Sequence, residues 1–281
     1  MVLHISHNDL DGVGCGVIVK AAYPSIKTVY LGYDELEPAL KNIPSGCNML
    51  IITDLAPSEA VVERIAGERE LLLIDHHASS ESLKKYPFTV HEIGKCAALL
   101  TYERLMSMGF ELSMYEDFVR CINDFDIWLL KRADSLRMSL LFILMGISRF
   151  EKRFLTEPYH GFKAEEEMLI TLEEERRNSY ITRAVKCAEY FTDNQQRKFA
   201  VIFSEMYSSE LGNSIISQGL ADYVLLINAQ RKTVSLRSAK DVDVGEIAVR
   251  HGDGGHKNAA GFPLASDLNM PKILAQLGLI K

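Results

Sequence analysis

VLHISHNDLDGVG, residues 2–14, runs from a short apolar segment into one histidine and two aspartates on alternate residues, and then into glycine. The apolar part, VLHIS at 2–6, reads as a strand, and GVGCGVIVKAA at 12–22 reads as a helix of small residues that packs closely. His7, Asp9 and Asp11 therefore fall where a strand gives way to a helix. The pattern repeats along the chain. TVYLGY (28–33) reads as a second strand followed by helical DELEPALKN, and NMLIITDLA (48–56) as a buried strand followed by the helix SEAVVERIAG (58–67), with Ser58 as its N-cap. ELLLIDHH (70–77) is another buried strand. Strands alternating with helices predict an α/β fold with a mostly parallel sheet covered on both faces.

After Gly94 the pattern turns helical, through CAALLTYERLMSMG, MYEDFVRCIND and LRMSLLFILMGISRF. The last of these contains the most apolar stretch of the chain, which reads as a buried helix. The charged segment 162–191 follows a helical period and reads as a long, partly solvated helix. Strands return at RKFAVIFSE (197–205), ADYVLLINAQRKTVSLRS (221–238) reads as a β-hairpin, and HGDGGHKNAAGF (251–262) is glycine-rich. The expected organisation is a first domain over 1–160, a linker helix over 161–190 and a smaller C-terminal α/β domain over 191–281.

The 281 residues carry a net charge of −7, which argues against a broad basic face for long nucleic acid. A pocket of carboxylates can instead hold divalent cations, and these attract phosphate. The five cysteines are odd in number and form no CxxC pair, which disfavours a zinc ribbon or a disulfide framework and fits a reducing cytoplasm. No run of eighteen apolar residues suggests a membrane span, and the N-terminus lacks the basic start and apolar core of a signal peptide.

Four clusters of metal-type ligands lie where apolar segments end: His7/Asp9/Asp11, Asp54, Asp75/His76/His77 and Asp124/Asp126. Singly, each has an ordinary structural reading. Asp11-Gly12 makes a turn, Asp54 caps the helix near Ser58, Asp75 orients a loop, and Asp124 and Asp126 cap a helix end. Jointly they point elsewhere, because ligands of a parallel sheet bind beyond the carboxyl ends of its strands. Many carboxylates with a few imidazoles suit manganese or magnesium better than zinc. Alternate residues at a strand end point to opposite sides, so the spacing of Asp9 and Asp11 divides them between two ions.

HNDLDG, TDLAP, IDHH and NDFDIW, in this order, resemble the four motifs of the DHH phosphoesterase superfamily, and SLRS with GDGGHKNAAGF resembles its C-terminal DHHA1 domain. The form of the fourth motif looks most like that of nanoRNase B-type oligoribonucleases. The resemblance implies a DHH catalytic domain, a linker helix and a DHHA1 substrate-binding domain. It implies two divalent ions, Mn2+ first, with Mg2+ or Co2+ as alternatives. His7 and Asp9 would hold one, Asp11 and His76 the other, with Asp54 bridging and Asp124 preferred over Asp126 as the fourth-motif ligand. Asp75 would orient His76, and His77 would contact phosphate or assist proton transfer. Arg237, Gly254, Gly255 and His256 would grip the substrate. The implied activity is hydrolysis of short oligoribonucleotides to mononucleotides. The alternatives are a cyclic or linear dinucleotide phosphodiesterase, a 3′-phosphoadenosine 5′-phosphate phosphatase, and a non-catalytic nucleotide sensor. The implied partner is a short single-stranded RNA or a dinucleotide, and the oligomeric state is left open, a homodimer included. Phe125 and Trp128 read either as base-stacking residues or as core.

Overall fold

The computed structural model describes residues 1–239, 241–251 and 254–264. The chain divides into two compact units between Glu174 and Glu175. That division falls inside the segment expected to link two domains.

The first unit opens with β1 (Val2–His7), α1 (Leu10–Ala22), β2 (Lys27–Leu31), α2 (Tyr33–Leu40), β3 (Met49–Thr53), α3 (Glu59–Glu68), β4 (Glu70–Asp75) and β5 (Thr89–His91). It continues with α4 (Ala97–Ser107), α5 (Glu116–Asp126), α6 (Ser135–Thr156) and the first part of α7 (Ala164–Ala184). The sheet order is β2-β1-β3-β4-β5, and every pairing is parallel. Ser6 pairs with Thr53, and Thr53 with Ile74. The next residue on each strand is His7, Asp54 and Asp75, so this register delivers all three to one edge of the sheet.

Strand alternation sorts the two faces. Leu3, Ile5, Leu50, Ile52, Leu71 and Leu73 pack with Leu36, Leu40, Val62 and Ile65 of α2 and α3. The opposite face of β1 carries His4 and Ser6. His4 is buried between Thr28 Oγ1 (3.2 Å) and Thr53 Oγ1 (2.8 Å). Burial and the nearby Lys20 charge lower its pKa to about 3, so it stays neutral. Ser6 Oγ donates to the Gly12 carbonyl at 2.8 Å, tying the strand to the start of α1.

Helix α6 is not the uniformly buried helix its composition suggests. Met138, Leu140, Leu141, Phe150 and Phe154 are buried, but Ile143 is exposed. Gly146 breaks the helix with φ 66° and ψ 167°, which turns the two halves out of one continuous face. Among the described residues no helix is long and apolar enough to cross a membrane. Helix α7 stops at Ala184, before the expected end of the long helix, and residues 189–192 form a strand instead. Its first half is partly solvated, as expected: one stripe packs, with Ile170 fully buried and Glu166 accepting a 2.5 Å bond from Arg153 Nε, while Met168, Leu169 and Leu172 are exposed.

The second unit contains β6 (Glu189–Thr192), β7 (Lys198–Phe203), α8 (Ser208–Ser217), β8 (Tyr223–Asn228), β9 (Thr233–Ser238), α9 (Gly245–Arg250), β10 (Gly255–His256) and β11 (Ala259–Pro263). Its sheet order is β10-β11-β9-β8-β7-β6. Only β7 and β8 pair in parallel; β8 and β9 form the expected hairpin. Val224 and Leu226 face Leu211 and Ile215 of α8, while Tyr223 and Leu236 face Val244 and Ala248.

Candidate metal centre

The centre is built on the ends of β1, β3 and β4. Asp9 is the N-cap of α1, and its Oδ1 accepts the Gly12 N–H at 3.0 Å. Its Oδ2 lies 2.9 Å from His7 Nδ1. A Cβ at Gly12 would stand 2.2 Å from the His7 carbonyl oxygen, so only glycine lets the helix begin this close to the strand. Asp11, in the first turn of α1, accepts the Ala97 and Ala98 N–H groups at 2.7 and 2.8 Å, which caps the start of α4. Asp54 leaves β3 in the left-handed region, φ 56°, with its N–H donated to the Ile74 carbonyl at 2.9 Å. Aspartate is among the few side chains that adopt this conformation readily.

Asp54 stands between two histidines. Its Oδ2 is 3.6 Å from His7 Nδ1, and its Oδ1 is 3.5 Å from His76 Nε2. His76 Nε2 also lies 3.7 Å from Asp11 Oδ2 and 3.6 Å from Asp126 Oδ2. Among the groups whose donor atoms lie within 4.8 Å of one another are His7/Asp9/Asp54, Asp11/His76/Asp126 and Asp54/Asp75/His76/His77. Burial first, and then the charges of Asp9 and Asp11, push the Asp54 carboxyl well above the usual carboxylate range. Burial and Asp11 do the same to Asp126. For His7, burial favours the neutral ring, but Asp9 and Asp54 outweigh it and push the pKa up to about 11.

This is a cluster that wants a cation. Asp54 Oδ2 and Asp126 Oδ2 are buried oxygens with no hydrogen-bond partner among the described residues. Left so, such groups are costly. Oxygen-rich donors with two imidazoles fit hard divalent ions. The residues present therefore fit the metals that the motifs imply.

The structure corrects the expected choice between the two aspartates of the fourth motif. Both carboxylate oxygens of Asp124 accept main-chain N–H groups, from Lys131 and Arg132, each at 3.0 Å. Its carbonyl accepts the Leu129 and Leu130 N–H groups at 2.9 and 3.2 Å. Asp124 thus fastens a loop in which Trp128 and Leu130 take positive φ of 57° and 49°. Asp126 is the one beside His76. Residues two apart on a helix face opposite sides. Asp126 shares a stripe with Ile122, whose Cδ1 would be 2.6 Å from a Cβ at Gly14 of α1. That i, i+4 relation was a readable signal for Asp126. Phe125 and Trp128 are half-buried, their rings 5.7 Å apart.

A second correction concerns Asp75. It bonds His77, not His76: Asp75 Oδ1 accepts from His77 Nδ1 at 2.8 Å, and Ser80 Oγ donates to Oδ2. The chain is extended at His77, so Asp75 and His77 fall on one side and His76 on the other. Burial alone would lower the His77 pKa, but the hydrogen bond and charge of Asp75 raise it above the ordinary value. The sequence reading missed Tyr33, the first residue of α2. Its hydroxyl is 3.1 Å from His77 Nε2, and its ring centroid is 4.6 Å from that of His7. Its place just past β2, beside β1 in the sheet, was the available signal.

In the second unit, Arg237 lies on β9 between Val224 and Ala259. Its guanidinium donates to Ser209 Oγ at 2.6 Å and to the Leu236 carbonyl at 2.8 Å. Gly255, at φ 142°, could not carry a Cβ, which would approach the Ala259 carbonyl oxygen to 2.7 Å. Its glycine is therefore explained by the β10–β11 hairpin. The Gly254 carbonyl accepts from Gly261 at 3.2 Å, and His256 pairs with Ala259. Gly252 and Asp253 of the same motif lie outside the described residues.

No family model matches the chain. It is 32% identical, over 296 aligned positions, to oligoribonuclease NrnB of Bacillus subtilis (strain 168), a likeness that covers 94% of this chain and 73% of that protein. Among solved structures, the DHH domain of a protein assigned to a family of ribosomal proteins matches with TM-score 0.61 and 14% identity, over 99% of this chain and 86% of that one. RecJ of Thermus thermophilus, in complex with Mn2+, matches with TM-score 0.55 and 16% identity, over 98% of this chain and 51% of that one. The structural likenesses share the fold, and the sequence likeness spans nearly the whole chain, including the stretches that carry its own four motifs. The chain belongs to the DHH phosphoesterases, in the family of oligoribonuclease NrnB.

Proposed function

We propose that the protein hydrolyses short oligoribonucleotides to mononucleotides at a two-metal centre. The observation that carries this reading is Asp54, 3.6 Å from His7 and 3.5 Å from His76, with a buried oxygen that has no other hydrogen-bond partner among the described residues. His7, Asp9 and Asp54 would hold one ion; Asp11, His76 and Asp126 the other, with Asp54 common to both. Mn2+, the ion bound in the RecJ neighbour, is the first choice, with Mg2+ or Co2+ as alternatives. Bound there, divalent ions supply activation of water and neutralise charge on the phosphoryl oxygens.

The protein's own groups do the rest. Asp75 holds Nδ1 of His77 and the Tyr33 hydroxyl stands 3.1 Å from its Nε2, so that hydroxyl and the imidazole together would meet a phosphoryl or leaving oxygen. The hydrogen bond and charge of Asp75 raise the pKa of that ring above its ordinary value, which suits it to hold an anion or give up a proton. Asp11 ties the ligand cluster to α4, and Asp124 fixes the loop behind Asp126. Arg237, Gly254, Gly255 and His256 are proposed to hold the substrate; a guanidinium presents five donors, of which the bonds to Ser209 and Leu236 engage two among the described residues. A net charge of −7 supports a short substrate over a long one. Five free thiols support a cytoplasmic setting.

The test is a time course on end-labelled RNAs of two to ten nucleotides, with matched DNA, a cyclic dinucleotide and 3′-phosphoadenosine 5′-phosphate, each with Mn2+ and with EDTA. Metal-dependent conversion of the short RNAs to mononucleotides is the expected result. Intact RNAs beside a consumed cyclic dinucleotide or bisphosphate would keep the metal centre and overturn the substrate.

A further inference from the structure

We propose that Tyr33 seats a nucleobase of the substrate beside the metal centre, with its hydroxyl pinned on His77. The inference rests on the nucleotide substrate proposed above. Tyr33 touches one proposed ligand and the histidine beside another: its ring lies 4.6 Å from the His7 ring, tilted by 45°, and its hydroxyl is 3.1 Å from Nε2 of His77, the residue after His76. Yet the residue is 57% exposed, while its neighbours Asp54 and His76 are buried. A tyrosine used only to brace His77 would be expected to bury its ring, because an aromatic left in water forgoes most of its packing gain. Here the phenol oxygen is committed and the ring is offered to solvent at the rim of a phosphoryl-transfer centre. A base attached to a phosphate held at that centre lies within reach of such a ring, and bases of any identity stack on aromatic faces.

Two features make the placement a device of the fold rather than a chance of one rotamer. Tyr33 is the first residue of α2, and its start is set by Gly32, whose N–H donates to Glu35 Oε2 at 2.7 Å. Its hydroxyl is held by a histidine that Asp75 already holds at 2.8 Å. Tyr33, His77 and Asp75 thus form one chain of hydrogen bonds from the rim to the end of β4, which gives the ring a fixed azimuth without burying it.

The test compares wild-type protein, Tyr33→Phe and Tyr33→Ala on an RNA dinucleotide and on the same dinucleotide with one base removed, tested at each position in turn. Tyr33→Ala is expected to raise KM for the intact dinucleotide by about tenfold and to leave KM for one of the abasic forms nearly unchanged. Tyr33→Phe keeps the ring and is expected to spare the preference for the intact substrate while lowering kcat. Binding is read separately from turnover, in Mg2+, by fluorescence of phosphorothioate dinucleotides carrying 2-aminopurine. Quenching on binding is expected with wild type and Tyr33→Phe and is lost with Tyr33→Ala. Equal losses on intact and both abasic substrates, or unchanged quenching in Tyr33→Ala, would overturn the seat and leave Tyr33 as a brace for His77. Quenching that depends on Tyr33 without turnover of any RNA would uphold the seat and sink the oligoribonuclease reading instead.

Discussion

The two sheets of the molecule use their strand ends in opposite ways. In the N-terminal sheet every neighbour is parallel, so consecutive strands finish at one edge, and His7, Asp54 and Asp75 arrive together although 68 positions separate the first from the last (75 minus 7). In the C-terminal sheet all but one pairing is antiparallel, so adjacent ends alternate and no such gathering of ends occurs among the described residues. Arg237, proposed above to hold the substrate, is the last residue but one of β9 and is already hydrogen-bonded. The first sheet concentrates carboxylates and imidazoles that could hold a cation; the second presents a guanidinium and a hairpin whose groups are already hydrogen-bonded. Chemistry is thus expected from the first unit and affinity from the second.

Removal of Asp54 strikes this contrast hardest. Asp54→Ala is expected to lower kcat on end-labelled short RNA by on the order of 10^3-fold, with an unchanged circular dichroism spectrum. Near-normal turnover would end the two-metal assignment.

The two aspartates of the fourth motif should then separate. Asp126→Asn is expected to cut turnover by about 10^2-fold and to raise the thermal midpoint of the metal-free protein, because it deletes a buried carboxylate crowded by Asp11. Asp124→Ala is expected to cost about 1–3 kcal/mol of stability, as the buried N–H groups of Lys131 and Arg132 lose their acceptor. Metal titration of the two variants by calorimetry reads the difference: only Asp126→Asn should lose a site outright.

Asp75→Asn should reduce activity by about 10–100-fold, through a misoriented His77. Arg237→Ala should raise KM by about tenfold and leave kcat within about twofold. A pure kcat effect would move Arg237 out of the grip and erase the contrast between the units.

The smallest effect is one of pH on the metal-free protein. His7 has an ordinary pKa of 6.5 and a folded value of about 11. A raised folded value contributes stability that is complete below 6.5 and is lost as the pH rises toward 11. The raised values of Asp54 and Asp126 act in the same direction. In EDTA, thermal midpoints should therefore fall as the pH rises, through Asp54 and Asp126 from above their ordinary 3.8 and through His7 from 6.5 upward, and added Mn2+ should flatten the fall by taking the place of these protons. A flat profile in EDTA would mean that the cluster is not strained without metal.

Much of this was written in local pattern. Strand–helix alternation foretold the parallel sheet, and the position of His7, Asp54 and Asp75 just at strand ends foretold that they would gather at one edge, because period and turn chemistry are properties of neighbours in the chain. The β8–β9 hairpin was legible for the same reason. The pairing of Asp75 was misread because attention went to the adjacent His76, although alternation in an extended chain joins Asp75 to His77. The end of α7 was misread because helical spacing continued in residues that the second sheet recruits as β6.

By itself the sequence determined the class of fold, the ordered motifs and the kind of ion they suit, since these depend on residue type and short-range spacing. Tertiary structure decided that Asp54 lies between His7 and His76, that Asp126 stands at His76, where the i, i+4 spacing from Ile122 gave only a local signal, and that Tyr33 meets His7 and His77 at the rim. Each of these is a relation between segments remote in the chain. The facing of α5 against α1 and the register of β1, β3 and β4 set the distances, and no local propensity encodes either.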